Sequence, residues 1–259
     1  MSRRSALLAA ALAAAVAASA TTPATAQSSL GIQSGGLTFG LAQDGEGEAR
    51  ASAGLWADVA IGSHHGLQID MNAEDTARGL LGHVGAHLYL APGPSRKYGF
   101  FATVSDLDGE SFTLGTVGLE GRMALGPQTG LEVRGGIGIA NRIAAADNLD
   151  FLFVGAAVDH QISPGLTASL SAEVAEFDET GFQAMASTLL AEVEYRPARS
   201  PIAVSAGLGV SSLDGRDGRP QETFARLGVS WTFGATAEPA RRPFRRADPY
   251  APLALRGLF

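Results

Sequence analysis

The sequence predicts an all-β chain: a closed, antiparallel, up-and-down transmembrane β-barrel of about twelve strands. Three observations lead there. The chain opens on an export-type leader, the rest is divided into segments of about ten residues with alternating apolar and polar side chains, and carboxylates gather in every second connection between those segments.

In the leader, Arg3 and Arg4 form a basic start, Leu7 to Ala20 is an Ala-rich apolar run, and Ala24-Thr25-Ala26 precedes Gln27 as an A-x-A cleavage site. Residues 1–26 are therefore expected to be a signal peptide cut between Ala26 and Gln27, followed by a short segment at 27–35. No later apolar run approaches the roughly eighteen residues of a transmembrane helix, so any membrane crossing falls to strands. The chain has no cysteine, which excludes disulfides, thiolate metal sites and cysteine nucleophiles.

The elements follow in order. Strands are predicted at 36–43 and 50–62, separated by Asp44, Glu46 and Glu48. Ser63-His64-His65 turns the chain into 66–73, and Glu74 and Asp75 lead to 79–91. Pro92 to Arg96 opens 97–105, which is joined to 111–125 through Asp106, Asp108 and Glu110. Gly126-Pro127-Gln128 connects to 129–140, Asp147 precedes 150–162, and Ser163-Pro164 leads to 165–176. Asp178 and Glu179 precede 182–196, Pro197 to Ser200 leads to 201–212, and Asp214 and Asp217 precede 222–233. Connections without a carboxylate are short, and the acidic ones are mostly longer. In an outer-membrane barrel this assigns the short turns and both termini to the periplasm and the acidic loops to the exterior.

Two faces are clear in several strands. Leu131, Val133, Ile137 and Ile139 alternate with Glu132, Arg134, Gly136 and Gly138; Leu166, Ala168, Leu170, Ala172 and Val174 alternate with Thr167, Ser169, Ser171 and Glu173. Leu189, Ala191, Val193 and Tyr195 alternate with Glu192, Glu194 and Arg196. A soluble sandwich gives the same alternation, so the membrane assignment leans on aromatic placement. Tyr89, Tyr98, Tyr195, Trp231 and Phe233 fall beside the short turns, and Phe112, Phe177 and Phe182 beside the acidic loops, as two interfacial girdles.

The last strand ends Leu227, Val229, Trp231, Phe233 at alternate positions, and in this it resembles the C-terminal signal strand of Gram-negative outer-membrane β-barrel proteins of the small porin-like class. The resemblance implies recognition by the barrel-assembly machinery, although in that family the aromatic normally ends the chain and here 26 residues follow Phe233.

Parity points Asp58, Asp70, Glu120, Arg122, Glu132, Arg134, Asp159, Glu192, Glu194 and Arg196 inward as pore-lining residues, seven carboxylates against three arginines. Inward neighbours such as Gly118, Gly136, Gly138, Ser205, Gly207 and Gly209 are small and leave space, and charges on such a wall set a selectivity field. If Gly126-Pro127-Gln128 is a three-residue hairpin loop, Arg122 lies opposite Glu132 and Glu120 opposite Arg134.

The remaining chemistry is thin. Lipid-modifying barrels need a Ser/His pair at the lipid-facing rim. His64 and His65 lie in a short turn, His160 points outward near that rim, and His83 and His87 stand about 13 Å apart along one strand, too far to chelate one metal. Asp106 to Ser111 has the alternate carboxylates of part of a calcium loop and is read as a solvated turn. No catalytic residue, metal or cofactor is expected.

Residues 27–234 carry 24 Asp and Glu against 12 Lys and Arg, whereas 235–259 carry five Arg against Glu238 and Asp248. The acidic body is unsuited to nucleic acid. The expected function is passive diffusion of small hydrophilic solutes with a mild cation preference, in the outer membrane of a Gram-negative bacterium and in contact with its lipid and lipopolysaccharide. The alternatives are a non-conducting structural or binding barrel with acidic surface loops, and a lipid-modifying enzyme. The Arg/Pro-rich segment 235–259 is expected to be an extended, non-helical periplasmic tail, or to fold back so that its arginines meet Glu192, Glu194 or Asp159.

Overall fold

The computed structural model describes residues 31–255 apart from residue 46 and residues 109–111, 143–147, 179–181 and 235–241. The expected cleavage residues Ala24, Ala26 and Gln27, the loop carboxylates Glu46, Glu110, Asp147 and Glu179, and Arg241 lie outside the described residues.

Alternation becomes a wall of twelve strands: β1 (Ile32–Asp44), β2 (Ala49–Ala60), β3 (His65–Asp75), β4 (Leu80–Gly93), β5 (Arg96–Leu107), β6 (Phe112–Ala124), β7 (Thr129–Arg142), β8 (Leu149–Ser163), β9 (Leu166–Asp178), β10 (Gln183–Tyr195), β11 (Ile202–Asp214) and β12 (Arg219–Phe233). Each pairs antiparallel with its sequence neighbours, and β12 closes on β1 from Gly35↔Phe233 to Asp44↔Phe224. Closure leaves no strand edge unpaired, the condition for strands to stand in lipid at all. A short helix, α1 (Ala251–Leu255), ends the described chain.

The faces separate as parity predicts. Outward residues such as Ile137, Val154, Leu170 and Leu208 are exposed, at 64, 60, 52 and 71%. Their inward neighbours, among them Glu132, Phe153 and Asp159, are buried. Leu227, Val229 and Phe233 are exposed on the outer face of β12, with Trp231 half-buried beside them.

Several expectations are corrected. β1 begins at Ile32 rather than 36, because residues of the expected N-terminal segment pair with β2, as in Ser34↔Asp58. The strands also run into the acidic connections: Asp44, Glu74, Asp75, Asp106 and Asp178 are strand residues, so the expected difference in loop length nearly vanishes. What remains is composition, with one end of the barrel free of loop carboxylates and the other rich in them.

Among the described residues, one of the two expected aromatic girdles is seen. Tyr98, Tyr195 and Phe233 do face outward near the carboxylate-free end. Tyr89 and Phe177 instead point inward and are buried, since parity, not proximity to a strand end, decides the face of a strand residue, and Phe182, just before β10, is buried with them. Phe177 packs on Phe151 at 4.9 Å between ring centroids, and Phe182 meets Phe177 edge-on at 5.8 Å. The Phe112 side chain lies outside the described residues.

The inward glycines do not simply leave space. Phe101 lies over Gly118, Phe151 over Gly138 and Phe224 over Gly209, each ring covering its cross-strand partner so closely that a Cβ there would collide with it. A bare backbone thus lets a ring lie flat on the next strand, and the rings fill part of the barrel interior.

Candidate functional site

The largest departure from expectation is the tail. The sequence allows it two fates, and in the structure residues 242–255 run inside the barrel, ending in a short helix where none is expected. Counting wall residues from the carboxylate-free end, Arg242 bonds the second residue of β9 (Thr167, 3.1 Å) and Phe244 the fourth of β3 (Gln68). Arg245 bonds the fifth of β8 (Asp159), Asp248 the eighth of β9 (Glu173), and Tyr250 the tenth of β5 (Ser105, 3.0 Å). The tail therefore climbs one wall position per residue, which is the rise of an extended chain.

Wall side chains hold its main chain. The Phe244 N–H donates to Gln68 Oε1 at 2.8 Å while Gln68 Nε2 donates to the Phe244 carbonyl at 3.0 Å, a closed amide pair. The Arg245 N–H donates to Glu132 Oε1 at 3.0 Å, and Arg134 Nη1 donates to the Arg245 carbonyl at 2.8 Å. The Asp248 N–H donates to Glu173 Oε1 at 2.9 Å. Buried peptide groups that would otherwise be costly are satisfied without any strand partner.

Side chains add selectivity. The Phe244 ring stacks on His87 at 5.7 Å and 12°, meets Tyr89 edge-on, and lies 4.0 Å beneath Lys97 Nζ. Lys97 is 3% exposed and its Nζ makes no hydrogen bond among the described residues; the nearby Asp58 carboxylate and the Tyr89 and Phe244 faces compensate it. Arg245 Nη2 reaches Asp159 Oδ1 at 2.5 Å, and Arg246 Nη2 reaches Glu74 at 2.8 Å and Asp248 at 2.6 Å.

Beneath the tail the wall is already wired. Arg122 bonds Glu132 at 2.5 Å and also Asp159. His87 bridges Asp70 Oδ1 at 2.7 Å and Glu120 Oε1 at 2.8 Å, while His83 bonds Ser105 at 2.9 Å and lies 3.5 Å from Asp70 Oδ2. Tyr89 donates to Asp58 at 2.5 Å. These side chains keep their places through contacts with one another.

Of the ten residues expected to line a pore, Asp58, Asp70, Glu120, Arg122, Glu132 and Asp159 are buried on the inner wall, and Arg134, Glu192, Glu194 and Arg196 are half-buried. The predicted register holds, with Arg122 opposite Glu132 and Glu120 opposite Arg134. Only the first pair bonds: Glu120 is taken by His87, and Arg134 Nε by Glu173 at 2.7 Å. Arg196 bonds Thr232 at 2.8 Å and lies 3.6 Å from Glu194. Gln68, Glu74, His83, His87, Tyr89, Lys97 and Glu173 are site residues absent from the expected set. Their parity is legible, but only the tail, a non-neighbour in sequence, gives them a task.

The tail does not fill the barrel. Residues 242–250 bond β3 to β9 and the helix lies beside β10 and β11, leaving a cavity of about 360 Å³ bounded chiefly by β1 to β3, β9 to β12 and the tail, and lined by Thr38, Ser52, Asn72, Ser171, Thr188 and Ser205 with charges of both signs. A second space, about 470 Å³, opens at the carboxylate-free mouth between Ser34, Asp58, His64, Tyr89 and Lys97.

No family model matches the chain, and no curated protein does. Among solved structures, the NanC porin is similar at a TM-score of 0.58 and 9% identity, over 75% of this chain and 98% of that one. A KdgM porin is similar at 0.54 and 11%, over 76% of this chain and 99% of that one. The chain shares their barrel fold. A KdgM porin structure in complex with disordered oligogalacturonate is similar at 0.50 and 11% identity, over 76% of this chain and 99% of that one. At such identities the likeness to porins concerns the barrel and carries no ligand across.

Proposed function

We propose that the chain is a porin-like channel of the Gram-negative outer membrane that passes small hydrophilic solutes by diffusion, through the space left beside its own tail. The observation that carries this is the cavity of about 360 Å³, polar and charged, inside a closed barrel whose outer face is apolar. The acidic loops then face outward, where divalent ions can bridge them to lipopolysaccharide. Leu227, Val229, Trp231 and Phe233 serve the assembly machinery.

The cation preference expected from seven inward carboxylates belongs, in this reading, to the wall alone. Arg50, Arg134 and Arg226 from the wall and Arg245 and Arg246 from the tail border the open space, against Glu74, Glu173, Glu192 and Asp248. That near balance gives the full chain little ionic preference. No reaction is assigned: His83 and His87 are buried beneath the tail, and His160, outward, bonds Thr129 at 3.0 Å.

A non-conducting barrel is the second reading, favoured by the part-buried ion pairs that fasten the tail to the wall. Planar-bilayer recording of the full chain separates the two. Discrete current steps with a reversal potential near zero in a salt gradient are expected; a silent membrane with correctly folded protein favours the second reading.

A further inference from the structure

We propose that the inner wall of β3 to β9 is a binding site for extended cationic peptides in which an aromatic residue precedes arginine, and that residues 242–250 are its resident ligand. The assignment of such peptides as solutes of the channel rests on the reading above; binding to the wall does not.

The contact is built as a receptor for an extended chain at residues 242–246, beyond which Ala247, Tyr250 and Leu253 pack into the hydrophobic core. Tail and wall advance in step, and Gln68, Glu132, Arg134 and Glu173 bond main-chain groups that every peptide possesses. Two positions then select side chains. The ring of residue 244 is stacked on His87 and lies 4.0 Å from Lys97 Nζ, which makes no hydrogen bond among the described residues, and the guanidinium of residue 245 meets Asp159. Its selective positions are held by the wall itself, since Arg122 bonds Glu132 and Asp159, and Asp70 and Glu120 bond His87. Open space lies alongside Arg245, Arg246 and Asp248, which gives the segment a route in and out once Ala247 and Tyr250 leave the core.

Tethering explains why the tail is the occupant at rest. A segment joined to its site by a short linker acts at an effective concentration on the order of millimolar. A free peptide competes only when the tail is weakened.

The test uses the full chain in detergent micelles and a fluorescent peptide of residues 242–250, followed by anisotropy. A Phe244→Ala/Arg245→Ala chain, whose tail has lost both selective contacts, is expected to bind the peptide at least about tenfold more tightly than the unaltered chain. Adding Gln68→Ala to that chain, or replacing the peptide's phenylalanine by alanine, is expected to weaken binding by about tenfold or more. Equal binding by altered and unaltered chains, or binding indifferent to Gln68 and to the ring, overturns the proposal. If the double variant does not fold, the single Arg245→Ala chain, which loses the contact with Asp159, carries the same expectations in direction. Bilayer recording of the same proteins keeps the two readings apart: binding without current leaves the site and removes the channel, while current with no specific binding leaves the channel and removes the site.

Discussion

Replacing Arg122 by Met removes the guanidinium that organises the wall while keeping most of its volume. The Arg122 side chain is 1% exposed and serves two carboxylates, Glu132 and Asp159, themselves 3 and 6% exposed. Breaking a buried pair from one side costs roughly 3–5 kcal/mol, because a charge is left without compensation. Neither carboxylate is left bare here: Asp159 keeps Arg245 at 2.5 Å, and Glu132 keeps the Arg245 N–H at 3.0 Å with Arg134 at 3.7 Å. The expected loss therefore sits at the low end, about 3 kcal/mol. Urea unfolding in lipid vesicles, followed through Trp56 and Trp231, measures it. The double variant with Glu132→Gln should recover roughly 1 kcal/mol or more of that loss, since one stranded charge is gone and contacting residues are not additive. A loss under about 1 kcal/mol in the single variant, or strict additivity in the double, refutes the view that this pair is buried, charged and coupled.

Three further outcomes are expected. Glu192→Gln, at the edge of the open cavity, should shift the reversal potential in a salt gradient toward anions, and Glu194→Gln, outside that lining, should shift it less. Gly138→Val places a side chain where the Phe151 ring lies and should cost roughly 1–3 kcal/mol or halt folding, whereas Gly62→Val, with open space around its Cβ position, should be neutral in the same urea titration. Val154→Arg, on the outer face of β8 at 60% exposure, should destabilise the vesicle-embedded barrel by about 2–4 kcal/mol; no loss there would mean that this face does not meet lipid.

The fold was legible because the strand period acts locally. Alternation, turn residues and the carboxylate pattern are read within ten or fifteen residues, and they placed all the strands and the β6–β7 register. The aromatic assignments failed where a local cue, nearness to a turn, was set against parity: Tyr89 and Phe177 obey parity and turn inward. Glu120 and Arg134 show a different limit. Register brings their backbones together, but each side chain has a better partner elsewhere, in His87 and Glu173, and no hairpin rule contains that competition. The tail was the least legible part. Its arginines and the acidic wall announce attraction, yet the one-to-one climb from Thr167 to Ser105 depends on contacts across 75 to 176 residues of sequence. The small lumen residues suggested room without saying what would occupy it.

The central claim is that residues 242–255 occupy the barrel and set both its width and its charge. It is tested most directly by recording, side by side, the full chain and a chain ending at Gly234, each first shown to be folded by resistance of its barrel to unfolding in cold detergent on gels. The account predicts that the shortened chain conducts more in each step and becomes cation-preferring, because the loss of five arginines against two carboxylates uncovers Glu132, Asp159 and Glu173. Unchanged conductance and an unchanged reversal potential from a folded, shortened barrel would contradict it.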